Sequence, residues 1–323
     1  MQALRSMIFT PGNRSDLIEK AIRSGADAVI VDLEDAVPLD SKVAARDALA
    51  DLPESDVPLY VRVNGAETEF LWGDVVAAGR AGVAGIVVPK AEDADLLRRV
   101  SGALTALELA AGREAGAIEI VPLIESAKGV RDADALLACD DRVTSVLFGS
   151  GEQGDLVADL DCEWTPDGIG LLYARSQVLL AARAAGIGQP MDAVFMDFRN
   201  NDALRIECEL AKRVGYVGKV AIHPGQIPVI HEVFTPTPEE VAYQRKIVEA
   251  FEAAVASGSA SISVDGRMVD YAVARVARGV LERAEAANRP AERDVNASES
   301  AADRQKRHSQ RDPSQRAANG VGA

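Results

Sequence analysis

Glu125 directly follows the apolar run Val121-Pro-Leu-Ile124, so a carboxylate ends a segment that otherwise reads as buried. A second carboxylate, Asp155 or Glu152, comes just after the next apolar run, Ser145–Gly149. Two carboxylates at such ends, with no His or Cys beside them, suit a hard cation such as Mg²⁺, which takes oxygen ligands and keeps several waters. An acid that caps a helix or closes a salt bridge is the competing reading of Glu125, and both stand. Arg62 closes Leu59-Tyr60-Val61. Its planar fork matches a carboxylate, either a ligand's or that of Glu34 or Asp35 in Asp32-Leu33-Glu34-Asp35. Lys90 ends another run and is a candidate for Schiff-base chemistry, the weaker reading where a carboxylate pair is available for a metal. His223 and His231 do not have zinc spacing. Neither G-x-S-x-G nor G-x-x-x-x-G-K-[ST] occurs, and Gly149-Ser-Gly-Glu152 does not complete a dinucleotide fingerprint.

These residues need elements to hold them. Eight short apolar runs alternate with amphipathic stretches: Ser6–Thr10, Ala28–Leu33, Leu59–Val63, Gly85–Pro89, Glu119–Ile124, Ser145–Gly149, Ala193–Met196 and Lys219–Ile222. Runs such as Val29-Ile-Val31 and Ile86-Val-Val88 have the pattern of strands buried on both faces. Between them, Asn13–Ser24 and Asp202–Val214 stop at glycines, and Thr165-Pro166-Asp167 offers a helix start before Leu171–Ala185. This α/β repeat predicts a (β/α)₈ TIM barrel over residues 1–236, in preference to a doubly wound open sheet. In such a barrel the reactive residues gather at the C-terminal strand ends, and every run here ends in a polar or ionisable residue, the seventh near Asp197. Residues 237–290 follow as a helix (Pro238–Ala256), a Gly/Ser turn, the stretch Ile262–Asp270 and a last helix (Tyr271–Ala287). They read as a C-terminal helical arm or lid, with a helix packed under the barrel as the alternative. Residues 291–323 contain no Leu, Ile, Phe, Met, Trp or Tyr and read as a disordered tail.

The 323 residues are 48% hydrophobic and 26% charged, enough for a large core. The formal charge of −15 argues against nucleic acid as a partner. Cys139, Cys162 and Cys208 show no C-x-x-C spacing, and neither a signal peptide nor a membrane span is evident, so a reducing cytoplasm is expected.

Several stretches resemble, in order, the citrate lyase beta subunit family of the HpcH/HpaI aldolase-like superfamily, alongside malyl-CoA and citramalyl-CoA lyases. They are Arg5-Ser-Met-Ile-Phe-Thr-Pro-Gly12, Gly25–Val37, Val61-Arg-Val-Asn64, Val88-Pro-Lys90, Pro122–Ala127, Tyr173-Ala-Arg175 with Ala181–Gly186, and Gly218–Gln226. The resemblance implies a barrel that assembles into trimers or hexamers, needs Mg²⁺, and cleaves or forms carbon–carbon bonds in 3-hydroxyacyl thioesters. By motif, Arg62 would bind the 2-oxo acid, with Glu34 and Asp35 beside it in the substrate site, and Glu125 with Asp155 would hold the metal. The stretch Val264–Asp270 looks like an arm whose aspartate reaches a neighbouring subunit's site, which nominates Asp270, with Asp265 in reserve. In the family Phe-Gly is usually followed by two residues and then Asp. Here Phe148-Gly149 is followed by an insertion before Asp155, and alignment on Phe-Gly alone would choose Glu152. The implied activity is cleavage of a malyl-CoA- or citramalyl-CoA-like thioester to acetyl-CoA and a 2-oxo acid. The alternatives are a malyl-CoA thioesterase, a CoA-independent oxo-acid aldolase, and a citrate lyase complex subunit acting on an acyl-carrier thioester. Arg5, Arg14 and Lys20 are candidates for the CoA phosphates.

Overall fold

Most strands alternate between two apolar environments, the barrel interior and the layer of helices around it. The structure, a computed structural model, describes residues 4–288; the tail expected over 291–323 lies outside the described residues. The strands are β1 (Ser6–Pro11), β2 (Ala28–Asp32), β3 (Leu59–Arg62), β4 (Gly85–Val88), β5 (Glu119–Ile124), β6 (Ser145–Phe148), β7 (Gln189–Asp192) and β8 (Gly218–Ala221). They pair in parallel and in sequence order, and β8 returns to β1 to close the barrel. Met7, Ile30, Tyr60, Val87, Val121, Leu147, Met191 and Val220 pack together in the interior. Their neighbours in sequence, such as Ile8, Val29, Val61, Ile86 and Val146, pack outward against the helices. Burial on both faces explains the nearly continuous apolar runs.

One strand lies elsewhere than the sequence suggests. The seventh run, Ala193–Met196, is not a strand; β7 is Gln189–Asp192, so its end is Asp192 and not the neighbourhood of Asp197. Pro190 and a terminal Asp mask the strand pattern. Proline has no amide to donate, but its carbonyl still accepts from the Val217 amide. Asp192 is buried because Lys219 Nζ lies 2.7 Å away and Arg175 Nε 3.1 Å away. Thr165-Pro166-Asp167 also differs, forming a turn closed by Gly168, after which a short 3₁₀ segment leads into the helix Leu172–Ala184.

After the helix Ile227–Phe234 comes Pro238–Ala256, opened by a capping box in which Thr237 and Glu240 satisfy each other's amides. A hairpin of β9 (Ile262–Val264) and β10 (Arg267–Val269) follows, then the helix Tyr271–Asn288. Asp265 and Gly266 both lie in the left-handed region, at φ 49° and 76°, as a two-residue hairpin turn demands. Ile247, Phe251, Val264, Val269, Ala274 and Ala277 form a separate small core for this segment. Among the described residues no helix is long and apolar enough to cross a membrane.

Candidate active site

Parallel pairing brings the polar strand ends to one mouth. In the β2–β3 register Asp32 stands opposite Arg62. Arg62 donates to Asp32 through Nε at 2.7 Å and Nη2 at 2.5 Å, a two-point clamp that fixes the plane of its fork. The guanidinium also lies over Phe9, 4.7 Å from the ring centre. Its remaining nitrogen, Nη1, is 2.7 Å from Glu34 Oε2 and 3.5 Å from Asp35 Oδ2. The Glu34 oxygen is buried and, despite that closeness, outside hydrogen-bond geometry. Burial pushes Glu34 up to about 8 against the pull of Arg62, with Asp35 and Glu125 adding to the rise.

Glu125 directly follows β5, and Phe148-Gly149 runs beside it. A side chain at Gly149 would put its Cβ 2.5 Å from Glu125 Cβ, so glycine is what lets the next loop pass the carboxylate. Burial pushes Glu125 up to about 7, while the Lys90 amide and Arg62 pull it down and Asp155 pushes it further up. Asp155 opens the short helix Asp155–Leu160, and its Oδ2 lies 3.4 Å from Lys90 Nζ. Burial works against the Lys90 charge, but Asp155 and Glu34 more than offset it and its pKa is raised. A Schiff-base lysine needs the opposite.

Arg62, Glu125 and Asp155 line one cavity of about 170 Å³. Apart from Gln153, its remaining walls are apolar or small: Phe9, Leu123, Leu147, Ala193, Val194, Met196, Val220 and the loop residues Gly149, Gly151 and Gly154. Three of the sequence candidates therefore share a cavity, and Glu34 and Asp35 touch it through Arg62. Glu152 is exposed and does not line it, so of the two candidates only Asp155 borders the space. Asp270 does not line it either; it accepts from the Ala272 and Val273 amides and caps the last helix. Asp265 pairs with Lys246, at 2.6 Å. Arg5 does not stand at the mouth; it precedes β1, at the opposite end of the barrel, and is bound to Asp27 at 2.8 Å. Arg14 pairs with Asp16 on the surface.

Sequence reasoning passed over Asp32, the principal partner of Arg62, and the interior Phe9 beneath it. The signal for Asp32 was register: in a parallel barrel the last residues of adjacent strands are neighbours. It also passed over the buried group of Arg175, Asp192, Glu207 and Lys219 behind the mouth. Ser150 Oγ, in the loop leading to Asp155, hydrogen-bonds Asp192 Oδ1 at 3.1 Å and ties the mouth to that group.

Among the described residues no group of three or more His, Cys, Asp and Glu is arranged to hold a metal. What the mouth offers is a carboxylate pair within a charge excess. Asp32, Glu34 and Asp35 lie within ion-pair distance of Arg62 and Asp155 within that of Lys90, whose backbone amide donates to Glu125, so five carboxyl groups share these two cations.

The family pattern described as HpcH/HpaI aldolase/citrate lyase matches residues 5–224. The citrate lyase subunit beta of Haemophilus influenzae is 37% identical over 290 residues, covering 88% of this chain and 98% of that protein. A (3S)-malyl-CoA thioesterase of Cereibacter sphaeroides is 35% identical over 286 residues, covering 87% and 95%. Among solved structures, protein CitE from Mycobacterium tuberculosis, in complex with magnesium, acetoacetate and coenzyme A, superimposes with a TM-score of 0.71. It is 31% identical, and the match covers 88% of this chain and 98% of that one. The chain belongs to the HpcH/HpaI aldolase/citrate lyase family and is a carbon–carbon lyase of that family.

Proposed function

We propose that the chain is a Mg²⁺-dependent lyase for a malyl-CoA- or citramalyl-CoA-like 3-hydroxyacyl thioester, which it cleaves to acetyl-CoA and a 2-oxo acid or forms from them. The observation that carries this reading is the convergence of Arg62, Glu125 and Asp155 on one small, largely apolar cavity. The donor set fits a hard cation, because it offers carboxylate oxygens only and carries more negative than positive charge. Glu125 and Asp155 would hold the ion, with water completing its shell. When bound, Mg²⁺ would supply Lewis-acid stabilisation of the negative charge that develops on the substrate's hydroxyl oxygen.

The rest of the chemistry falls to the chain. Asp32 holds the Arg62 fork still, so Nη1 can take the substrate's carboxylate from Glu34, whose raised pKa favours its neutral form. Phe9, Leu123, Leu147 and Val220 keep the cavity wall dry, which strengthens that ion pair. As the C2–C3 bond of the thioester breaks, its electron pair moves into the thioester as an enolate, and the carbon bearing the hydroxyl becomes the oxo acid. Asp270, as its acid, protonates the enolate carbon to give acetyl-CoA; the hydroxyl proton passes to solvent water, and Asp270 regains a proton from water before the next turnover, so no net proton is gained or lost. Asp270 belongs to the segment 237–290, read as an arm on the barrel of residues 1–236. It would serve the mouth of a neighbouring subunit in a trimer or hexamer.

The likeness to CitE supports this reading, since that protein is solved with magnesium and coenzyme A. The likeness to malyl-CoA thioesterase favours a second reading, hydrolysis of the same thioester. One experiment separates them. The purified protein is incubated with Mg²⁺ and malyl-, citramalyl- and methylmalyl-CoA, and products are read by mass. Acetyl- or propionyl-CoA with an oxo acid is the expected result, and free CoA is the thioesterase outcome. No turnover until an acyl-carrier thioester replaces CoA marks a subunit of a larger lyase, the role borne by the named beta subunits. No turnover with either, but activity on free oxo acids, overturns the thioester reading.

A further inference from the structure

The cation paired with Asp155 has no part in the chemistry proposed above. Lys90 follows β4 with its backbone in the left-handed region, at φ 46°, where residues other than glycine, asparagine and aspartate are uncommon. That turn brings the Lys90 amide to 3.0 Å from Glu125 Oε1 and the ammonium to 3.4 Å from Asp155 Oδ2. One residue thus touches both carboxylates, one through its backbone and the other through its side chain. The side chains of Lys90 and Asp155 are 40% and 50% exposed, so their pairing can open without disturbing the core. A divalent cation on Asp155 would meet this ammonium as a like charge, and an incoming oxo acid would meet it as an opposite one.

We propose that Lys90 is a positioning residue that exchanges partners: its ammonium neutralises Asp155 until a divalent cation displaces it, and then pairs with the oxo-acid carboxylate at the cavity rim. This rests on the reading of Glu125 and Asp155 as the cation site. It predicts opposite signs for two affinities, because Lys90 competes with the cation and assists the oxo acid. A residue that merely capped β4 would change neither in that pattern.

The test is calorimetric titration of the full-length protein with Mn²⁺ alone, then with pyruvate at saturating Mn²⁺. The variants are Lys90→Met and Lys90→Gly; glycine keeps the left-handed turn and the amide while removing the ammonium. An ion pair this exposed is worth at most about 1 kcal/mol, so Mn²⁺ should bind about two- to fivefold tighter in both variants and pyruvate about two- to fivefold weaker. Mn²⁺ affinity that is unchanged or weaker in either variant, or pyruvate affinity that is unchanged or tighter, overturns the exchange. The cation site itself survives that result if wild type binds Mn²⁺ and Asp155→Asn does not. Failure of wild type to bind Mn²⁺, or equal binding by Asp155→Asn, removes the cation reading and the exchange with it.

Discussion

Replacing Lys219 by methionine tests whether the charge group behind the mouth holds the barrel together. Lys219 is fully buried on β8, 2.7 Å from Asp192 Oδ2 and 3.2 Å from Glu207 Oε2. Arg175 is the second cation, 3.1 Å from Asp192 and 3.8 Å from Glu207. Two cations therefore balance two carboxylates among β7, β8 and the helices Leu172–Ala184 and Asn201–Val214. Methionine preserves the volume and removes one charge, so one buried carboxylate loses its partner. That costs about 3–5 kcal/mol. Burial already raises the Glu207 pKa, and proton uptake there should hold the loss near the lower figure. At about 2–4 °C per kcal/mol for a large domain, Tm should fall by about 6–12 °C. The sign with pH follows. A carboxyl whose folded pKa lies above its unfolded value binds more protons when folded, so the variant's deficit should be smallest at low pH and grow towards pH 8. Scanning calorimetry at pH 5, 6.5 and 8 measures both quantities. Lys219→Met with Glu207→Gln, which removes the orphaned charge, should recover more than half of the loss. A Tm within about 2 °C of wild type at pH 8, or a deficit that shrinks as pH rises, refutes the reasoning.

Glu125→Gln and Asp155→Asn should each lower Mg²⁺-dependent kcat/KM at least about 100-fold while the circular dichroism spectrum is retained; wild-type turnover in either ends the metal assignment. Gly149→Ala forces its new methyl against Glu125 Cβ, so about tenfold or more Mg²⁺ should be needed for half-maximal activity, and an unchanged requirement would show that the loop has room to spare. Burial opposes ionisation of Asp27, but hydrogen bonds from His231 and Arg5 more than offset it and lower its pKa from 3.8 to about 2. Its ionised form therefore contributes about 2 kcal/mol above pH 4, lost as pH falls through 2; the stability gap between wild type and Asp27→Asn in urea titrations should narrow over that window, and a gap independent of pH contradicts the pairing. Asp270→Asn should still bind pyruvate but exchange the methyl protons of acetyl-CoA with D₂O about 100-fold more slowly, and normal exchange would remove Asp270 from the chemistry.

The barrel is legible in the sequence where both faces of a strand are buried, because an unbroken run as short as Val29-Ile-Val31 fits a strand between two apolar layers and little else. It is illegible at β7, where Gln189-Pro-Met-Asp192 carries a proline and an acid, and the nearby apolar run Ala193–Met196 serves the cavity wall instead. Local pattern cannot separate residues that are apolar because they lie inside a sheet from residues that are apolar because they line a pocket. The hairpin at Asp265-Gly266 is a different case. Its turn signal was present, but the strands on either side span three residues each, too few for an alternation to register.

The mouth divides along the same physical line. Glu125 and Arg62 stand out in sequence because a charge at the end of an apolar run has a cost that burial alone does not explain. Which carboxylate meets which cation is set by strand register, backbone angles and loop paths, none of which is a property of neighbouring residues. Glu34 and Asp35 come close to Arg62, yet the clamp belongs to Asp32, because pairing β2 with β3 puts Asp32 and Arg62 side by side. Asp155 and Glu152 are equivalent as letters. They are separated only because the loop runs past Glu125 at Gly149 and is anchored by Ser150 on Asp192, so that it turns Asp155 towards Lys90 and leaves Glu152 in solvent. The charge group around Asp192 thus supports the protein twice, by joining two strands to two helices and by fixing the loop that decides which acid reaches the cavity.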